Sequence, residues 1–184
     1  QTNRKRTNMN AENTVCLVID IQERLTPSLH EAETFTAACR LLIQGLQALN
    51  VPMMLTEQYP KGLGATLPAV RLLLPDAPLA EKTRFSAAQA AEGFIREKQA
   101  RNVVLIGAET HICILQTALD LRAQGLGVYL PAECLTSRNP ANKTNGLEQM
   151  RTADATVGNN ESLLFSLLGD AKHPAFKTIS KLVR

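Results

Sequence analysis

The chain has 184 residues, 45% of them hydrophobic and 20% charged, with 20 basic against 17 acidic side chains. This fits one globular domain long enough to bury most of its apolar surface, and no apolar run approaches the length that crosses a bilayer. Arg4, Lys5 and Arg6 account for the net charge of +3, so the rest of the chain is neutral, which argues against a nucleic-acid-binding face.

Residues 1–13 read as a disordered basic tail without the apolar stretch of an intact secretory signal; a targeting or interaction arm is the other reading. Residues 14–184 read as a single domain. Strand one is Thr14–Asp20. A helix follows over about Glu33–Leu49, with Ala38, Leu41, Leu42, Gly45, Leu46 and Leu49 on one face. Strand two is Pro52–Glu57, and Gln58–Pro68, rich in Pro and Gly, reads as a loop. Leu79–Thr83 reads as a short third strand, and Ser86 caps a helix that runs to about Lys98. Strand four is Asn102–Gly107. The next helix runs from Thr110 to Gln124 and stops at Gly125. Strand five is Gly127–Pro131, followed by a helix over about Asn142–Thr152, strand six at Ala155–Val157, a helix from Glu161 and a last amphipathic turn over Pro174–Leu182. Strands alternating with helices predict an α/β fold in three layers: a six-stranded parallel sheet with helices on both faces.

Three polar residues stand at the C-terminal ends of these strands, where open α/β sheets bind ligands. Asp20 ends strand one, Lys82 lies in strand three, and Cys113 sits in the first turn of the helix after strand four. Free N–H groups and the positive end of the helix dipole collect at such a turn and favour the thiolate. Read alone, Cys113 is equally a small buried apolar residue, Asp20 a turn cap and Lys82 a surface ion-pair partner.

Five motifs decide among these readings. Val18–Ile19–Asp20–Ile21–Gln22, Leu79–Ala80–Glu81–Lys82–Thr83–Arg84–Phe85–Ser86 and Gly107–Ala108–Glu109–Thr110–His111–Ile112–Cys113 resemble, in order and spacing, the isochorismatase-like cysteine hydrolase family. Met54–Leu55–Thr56–Glu57–Gln58–Tyr59–Pro60–Lys61–Gly62–Leu63–Gly64 and Gly169–Asp170–Ala171–Lys172–His173–Pro174–Ala175–Phe176–Lys177 are most similar to its isochorismatase domain-containing branch. The resemblance covers nearly the whole chain and implies the Rossmann-like isochorismatase-like hydrolase fold. It also implies a triad of Asp20, Lys82 and Cys113, a cis peptide between Ala108 and Glu109, an oxyanion held by the backbone N–H groups of Glu109 and Cys113, and a homo-oligomer. Acyl transfer through Cys113 is the expected chemistry, with a small amide or related C–N bond as substrate and Asp20 as general base.

The chain departs from the nicotinamidase branch of that family. Those enzymes carry an Asp-x-His pair and further histidines after strand two, where Thr56–Glu57–Gln58–Tyr59–Pro60 stands here. His30, His111 and His173 form no metal-ligand pattern, so no metal is expected. No G-x-G-x-x-G or G-K-[ST] motif supports a nucleotide, and no cofactor is expected. Gln22, Glu57, Tyr59, Phe85, Thr110 and His111 are the candidate substrate contacts, and Arg84 reads either as a carboxylate binder or as a surface residue.

The cysteines at 16, 39, 113 and 134 match no zinc or redox spacing. Cys16 and Cys39 read as packing residues. Scattered thiols in a chain with ample core predict a reducing compartment, cytoplasmic or an organelle matrix if the tail is a targeting remnant. Leu163–Leu164–Phe165 and Leu167–Leu168 suit either an oligomer face or the core. The rival functional readings are a catalytically idle oligomeric interaction protein that keeps the fold, and a thiol sensor in which Cys134 resolves Cys113. Neither a membrane nor a nucleic acid is expected as a partner.

Overall fold

A computed structural model describes residues 8–184; Arg4, Lys5 and Arg6 of the basic tail lie outside them. Residues 8–13, ahead of the first strand, are among those described. A 3-10 turn at Ala11–Asn13 is closed by reciprocal Asn10–Asn13 side-chain bonds, and Asn13 Oδ1 accepts from Asn102 Nδ2 at 2.9 Å.

The strands are β1 (Thr14–Ile19), β2 (Met53–Gln58), β3 (Leu79–Lys82), β4 (Asn102–Ala108), β5 (Gly127–Pro131), β6 (Leu135–Thr136) and β7 (Thr156–Gly158). All pair in parallel, in the order β3-β2-β1-β4-β5-β7, with β6 added to the end of β4. The six expected strands are present within a residue or two. The seventh, β6, has two residues, too few for any periodicity to announce it.

The helices are α1 (Ala32–Ala48), α2 (Pro60–Leu63), α3 (Pro68–Arg71), α4 (Ala88–Glu97), α5 (Leu115–Ala123), α6 (Pro140–Thr152), α7 (Asn160–Leu168) and α8 (Phe176–Leu182). The stretch read as a plain loop after β2 contains the one-turn helix α2, opened by Pro60, whose fixed φ suits a first helical position. Ser86 Oγ does accept from Ala88 N, at 3.2 Å, although the residue at the cap position of α4 is Ala87. Gly125 ends α5 at φ +83: its N–H reaches Arg122 O and that of Leu126 reaches Leu121 O, a Schellman stop.

Alternation along the two central strands builds the layers. Cys16, Val18, Val104, Ile106 and Ala108 share one buried cluster with Leu42, Ile43 and Leu46 of α1 and Leu163, Leu164 and Leu167 of α7. Val15, Leu17, Ile19, Val103 and Leu105 share the other with Ala91 and Ile95 of α4, Ala118 and Leu121 of α5 and Met150 of α6. Strands covered on both faces need continuous apolar runs, which β1 and β4 supply. The leucines at 163, 164, 167 and 168 are core, and Phe165 packs edge-on against Phe176 at 6.3 Å between centroids.

The strand order reverses between β1 and β4, and the crevice at their C-terminal ends is the ligand-binding position of such sheets. The two strands close against each other there because residue 107 is glycine. At φ +125, a Cβ on Gly107 would lie 1.9 Å from Ile19 O. Gly107→Ala must push β1 from β4 or distort both, and is expected to cost more than about 3 kcal/mol, read as a lowered urea midpoint at unchanged slope.

Candidate active site

Asp20 is the first residue beyond β1. It adopts φ +55, a left-handed conformation that aspartate tolerates better than most residues, and it is fully buried. The β1–β2 register pairs Ile19 with Thr56, so the Thr56 hydroxyl lies beside the carboxylate and donates to Oδ1 at 2.8 Å. Lys82 closes β3, two strands away. Its stem crosses the β2 end beside Gln58, its register partner, and Nζ donates to Asp20 Oδ2 at 2.8 Å and to Gln58 Oε1 at 2.7 Å. Nζ also reaches the carbonyls of Phe85 at 2.9 Å and Arg84 at 3.2 Å. The two charged side chains are 4% and 0% exposed, so each is the other's main compensation for lost solvent.

Cys113 is buried and lies in a π-helical turn, Thr110–Ile114, that precedes α5; a uniform helix from Thr110 was expected. Such turns occur often at functional sites. Thr117 anchors it: its hydroxyl donates to Cys113 O at 2.6 Å and accepts from Ala87 N at 2.8 Å, fixing the Cys113 turn to the start of α4. The Asp20 carboxylate acts on this thiol. Burial first, and the Asp20 carboxylate second, push its pKa up to about 12, against the lowering pull of Lys82. This corrects the expectation of a thiolate favoured by a helix terminus. Desolvation and an adjacent anion outweigh the dipole, so the resting site holds a protonated thiol against a carboxylate.

The peptide between Ala108 and Glu109 is cis, as the resemblance implied. The Glu109 side chain is buried and accepts on Oε1 from Arg138 N at 3.0 Å and Arg138 Nε at 3.1 Å. His111 Nδ1 lies 2.9 Å from Ser137 Oγ, and its Nε2 lies 3.4 Å from Asn142 Nδ2. Thr110 is fully buried, and its hydroxyl has no hydrogen-bond partner, an arrangement it shares among the described residues only with Thr26.

The other candidate contacts divide. The Gln22 amide donates to Gly64 O at 2.7 Å and Gln58 O at 3.0 Å and accepts from Gln58 N at 2.8 Å, so it ties the β1 exit to the loop after β2 and has little left for a ligand. Glu57 Oε1 is likewise taken, by Thr66 N and Oγ1 at 2.7 and 2.8 Å. Alternation puts both side chains near the rim, and donors and acceptors of the loop after β2 engage them there. Tyr59 and Phe85 are about half exposed at the rim. Phe85 borders an open groove of about 380 Å³ with Arg84, Ser86, Gln116, Leu119 and Asp120. Cys134 packs in the cluster on the α1 side of the sheet, with Sγ 3.1 Å from Asn160 Oδ1, whereas Cys113 belongs to the opposite cluster, so it is not placed to resolve Cys113. Sequence reasoning missed Thr56, Gln58, Thr117, Ser137 and Arg138. The strand register would have found the first two; the others depend on the fold bringing remote segments to the turn.

The isochorismatase domain family matches residues 14–162. The chain belongs to the isochorismatase family. It is 38% identical over 178 residues to isochorismatase domain-containing protein 1 of Salmo salar, covering 93% of this chain and 61% of that one, so it spans less than two thirds of that relative. The structure of MAR1 ribonuclease from Caenorhabditis elegans superposes with a TM-score of 0.91 at 34% identity, covering 96% of this chain and 92% of that one. The YcaC gene product of Escherichia coli, described as an octameric hydrolase of unknown specificity, shares the fold at a TM-score of 0.89 and 19% identity over 97% of this chain and 90% of that one. The isochorismatase-like hydrolase fold is thus shared by this chain and its structural neighbours.

Removing one member of the buried Asp20–Lys82 pair strands the other. Lys82→Met is expected to destabilise the fold by about 3–5 kcal/mol, and Asp20→Asn combined with Lys82→Met by less than the two single changes summed. A double-mutant cycle in urea checks the non-additivity.

Proposed function

We propose that this protein is a cysteine hydrolase that cleaves a small amide or related C–N bond through a Cys113 thioester. The observation that supports the reading best is the buried Asp20–Lys82 pair, in which Lys82 holds at 2.8 Å a carboxylate that acts on the Cys113 thiol. The resting thiol is protonated, so attack on the carbonyl carbon is coupled to transfer of the thiol proton to Asp20. Asp20 then gives that proton to the departing nitrogen as the C–N bond breaks. Water adds to the thioester with Asp20 as base, the C–S bond breaks, and the proton returns to sulfur as the acid leaves. Backbone N–H groups of Glu109 and Cys113 are the donors assigned to the oxyanion in both tetrahedral steps. Lys82 makes no bond to substrate in this scheme. It aims the Asp20 carboxylate, and holds the Arg84–Phe85 turn through its carbonyls.

Thr110, His111, Tyr59 and Phe85 are the substrate contacts retained in the proposal. The orphaned Thr110 hydroxyl is the most pointed of them, since a buried hydroxyl without a partner costs about 1–3 kcal/mol unless a ligand or water satisfies it. Exposed Phe85 and Leu119, with Arg84 and Asp120 beside them, give a half-apolar face suited to a second copy of the chain, in keeping with a homo-oligomer.

The Caenorhabditis elegans relative, named a ribonuclease, suggests a phosphodiesterase as the second reading. The residues favour it less. Outside the basic tail the charge is balanced, and a buried carboxylate held by a lysine beside a thiol is a set for acyl transfer.

The test is ammonia or amine release from a panel of small amides, with single-stranded RNA as the counter-substrate and intact-protein mass spectrometry for an acyl adduct. Cys113→Ala is expected to abolish turnover and adduct together, and Asp20→Asn to lower turnover by roughly 10²–10⁴-fold. Asp20→Asn also removes an anion that raises the thiol pKa. Its Cys113 should therefore titrate at lower pH than the parent's while its turnover falls, two changes of opposite sense that simple misfolding does not produce. Amide turnover that survives Cys113→Ala, or RNA cleavage with no amide turnover, would sink the proposal.

A further inference from the structure

The site contains one charge that the proposed chemistry does not use. The Glu109 side chain is 8% exposed, directly follows β4 and stands four residues before the nucleophile. Its carboxylate disfavours the Cys113 thiolate, as Asp20 does and in opposition to Lys82. A second anion at a nucleophile is a liability unless something holds it back. Both hydrogen bonds to that carboxylate come from Arg138, through its backbone N–H and its guanidinium Nε, on the same oxygen. The strand register creates this contact. The two-residue strand β6 pairs Leu135 and Thr136 with Gly107 and Ala108, so the chains leave the sheet side by side and Arg138 arrives at Glu109. The adjoining Ser137–His111 contact at 2.9 Å fixes the same two segments a second time.

We propose that Arg138 is a positioning residue for the nucleophile: it holds and neutralises the Glu109 carboxylate, and so limits the opposition of that charge to ionisation of Cys113. The inference rests on the reading of Cys113 as nucleophile only for its bearing on turnover; the electrostatic linkage itself is a property of the thiol. Other groups act on the thiol from the surrounding elements: Asp20 after β1 and Lys82 of β3, as described. From α5 the anchor is Thr117, and from α6 the groups against the turn are Asn142 and Gly146, none of them charged. Arg138 is therefore the cation that answers Glu109, while Lys82 answers Asp20.

The linkage is read by the rate of Cys113 alkylation with iodoacetamide as a function of pH, followed by peptide mass spectrometry, in the parent, Arg138→Met, Glu109→Gln and the double variant. The Arg138 side chain is 61% exposed, so the fold tolerates its replacement and solvent moderates the effect. Arg138→Met is expected to slow alkylation roughly two- to five-fold at fixed pH and to move the profile to higher pH. Glu109→Gln should move the profile to lower pH and make Arg138→Met silent, because no carboxylate remains to be neutralised. Arg138→Lys, which keeps the charge and loses the planar fork, should lie near the parent; it also serves as the second arm if Glu109→Gln fails a thermal unfolding check. An unchanged profile in Arg138→Met, an equal shift in the Glu109→Gln background, or Arg138→Lys behaving as Arg138→Met would each overturn the inference. None of these readouts requires turnover, so a protein that hydrolyses no amide still answers the question.

Discussion

The buried pair of Asp20 and Lys82 is the constraint on which the rest of the site depends. Neither charge could stay in that place alone, because the desolvation of a single ion there exceeds what a few neutral hydrogen bonds return. Together they are held by a set of contacts that crosses three strands: Thr56 and Gln58 from β2, the carbonyls of Arg84 and Phe85 beyond β3, and the left-handed exit of Asp20 from β1. The strand order makes this geometry available. Lys82 and Asp20 lie on strands either side of β2, and the middle strand supplies the polar groups that a stem crossing it needs.

Cys113 comes from the other side of the reversal in strand order, in the turn after β4, and its placement has separate causes. Gly107 lets β1 and β4 stay in contact up to their ends, and Thr117 ties the π-helical turn to the start of α4. The thiol is thereby brought to a carboxylate that was fixed without it. A rigid acceptor and a rigid donor on different strands are a preorganised proton-transfer pair, and little rearrangement is left for the moment of attack.

Much of this was legible in the sequence, for reasons that differ by residue. The fold followed from apolar runs spaced by helical faces, and β1 and β4 were plain because both of their faces are buried. Asp20, Lys82 and Cys113 stood out through motif order more than through chemistry, since each alone has an ordinary structural explanation. The engagement of Gln22 and Glu57 with the loop after β2 was not legible, because a polar residue near a strand end can serve the loop as readily as a ligand. Only the positions of Gln58 N, Gly64 O and Thr66 N decide between the two roles. Arg138 and Ser137 were invisible: they follow a two-residue strand, and their partners lie 26 to 29 residues earlier in the chain. The thiol pKa was misjudged in sign because a sequence shows the helix start but not the depth of burial.

That last difference changes how the chemistry should be understood. A preformed thiolate would react with any electrophile that reached it. In the proposed mechanism, a thiol pushed up to about 12 by burial and by the Asp20 carboxylate is nearly inert until an acyl group occupies the site. In that scheme, as carbon–sulfur bonding develops, the sulfur becomes more acidic, the proton moves to Asp20, and the negative charge passes to the oxyanion and its backbone donors. Lys82 stabilises Asp20 most while that carboxylate is ionised, so it favours return of the proton to the leaving nitrogen and restores the base for the water step. On the proposed reading, the ion pair and the raised thiol pKa form one mechanism, in which reactivity is withheld until a carbonyl is bound.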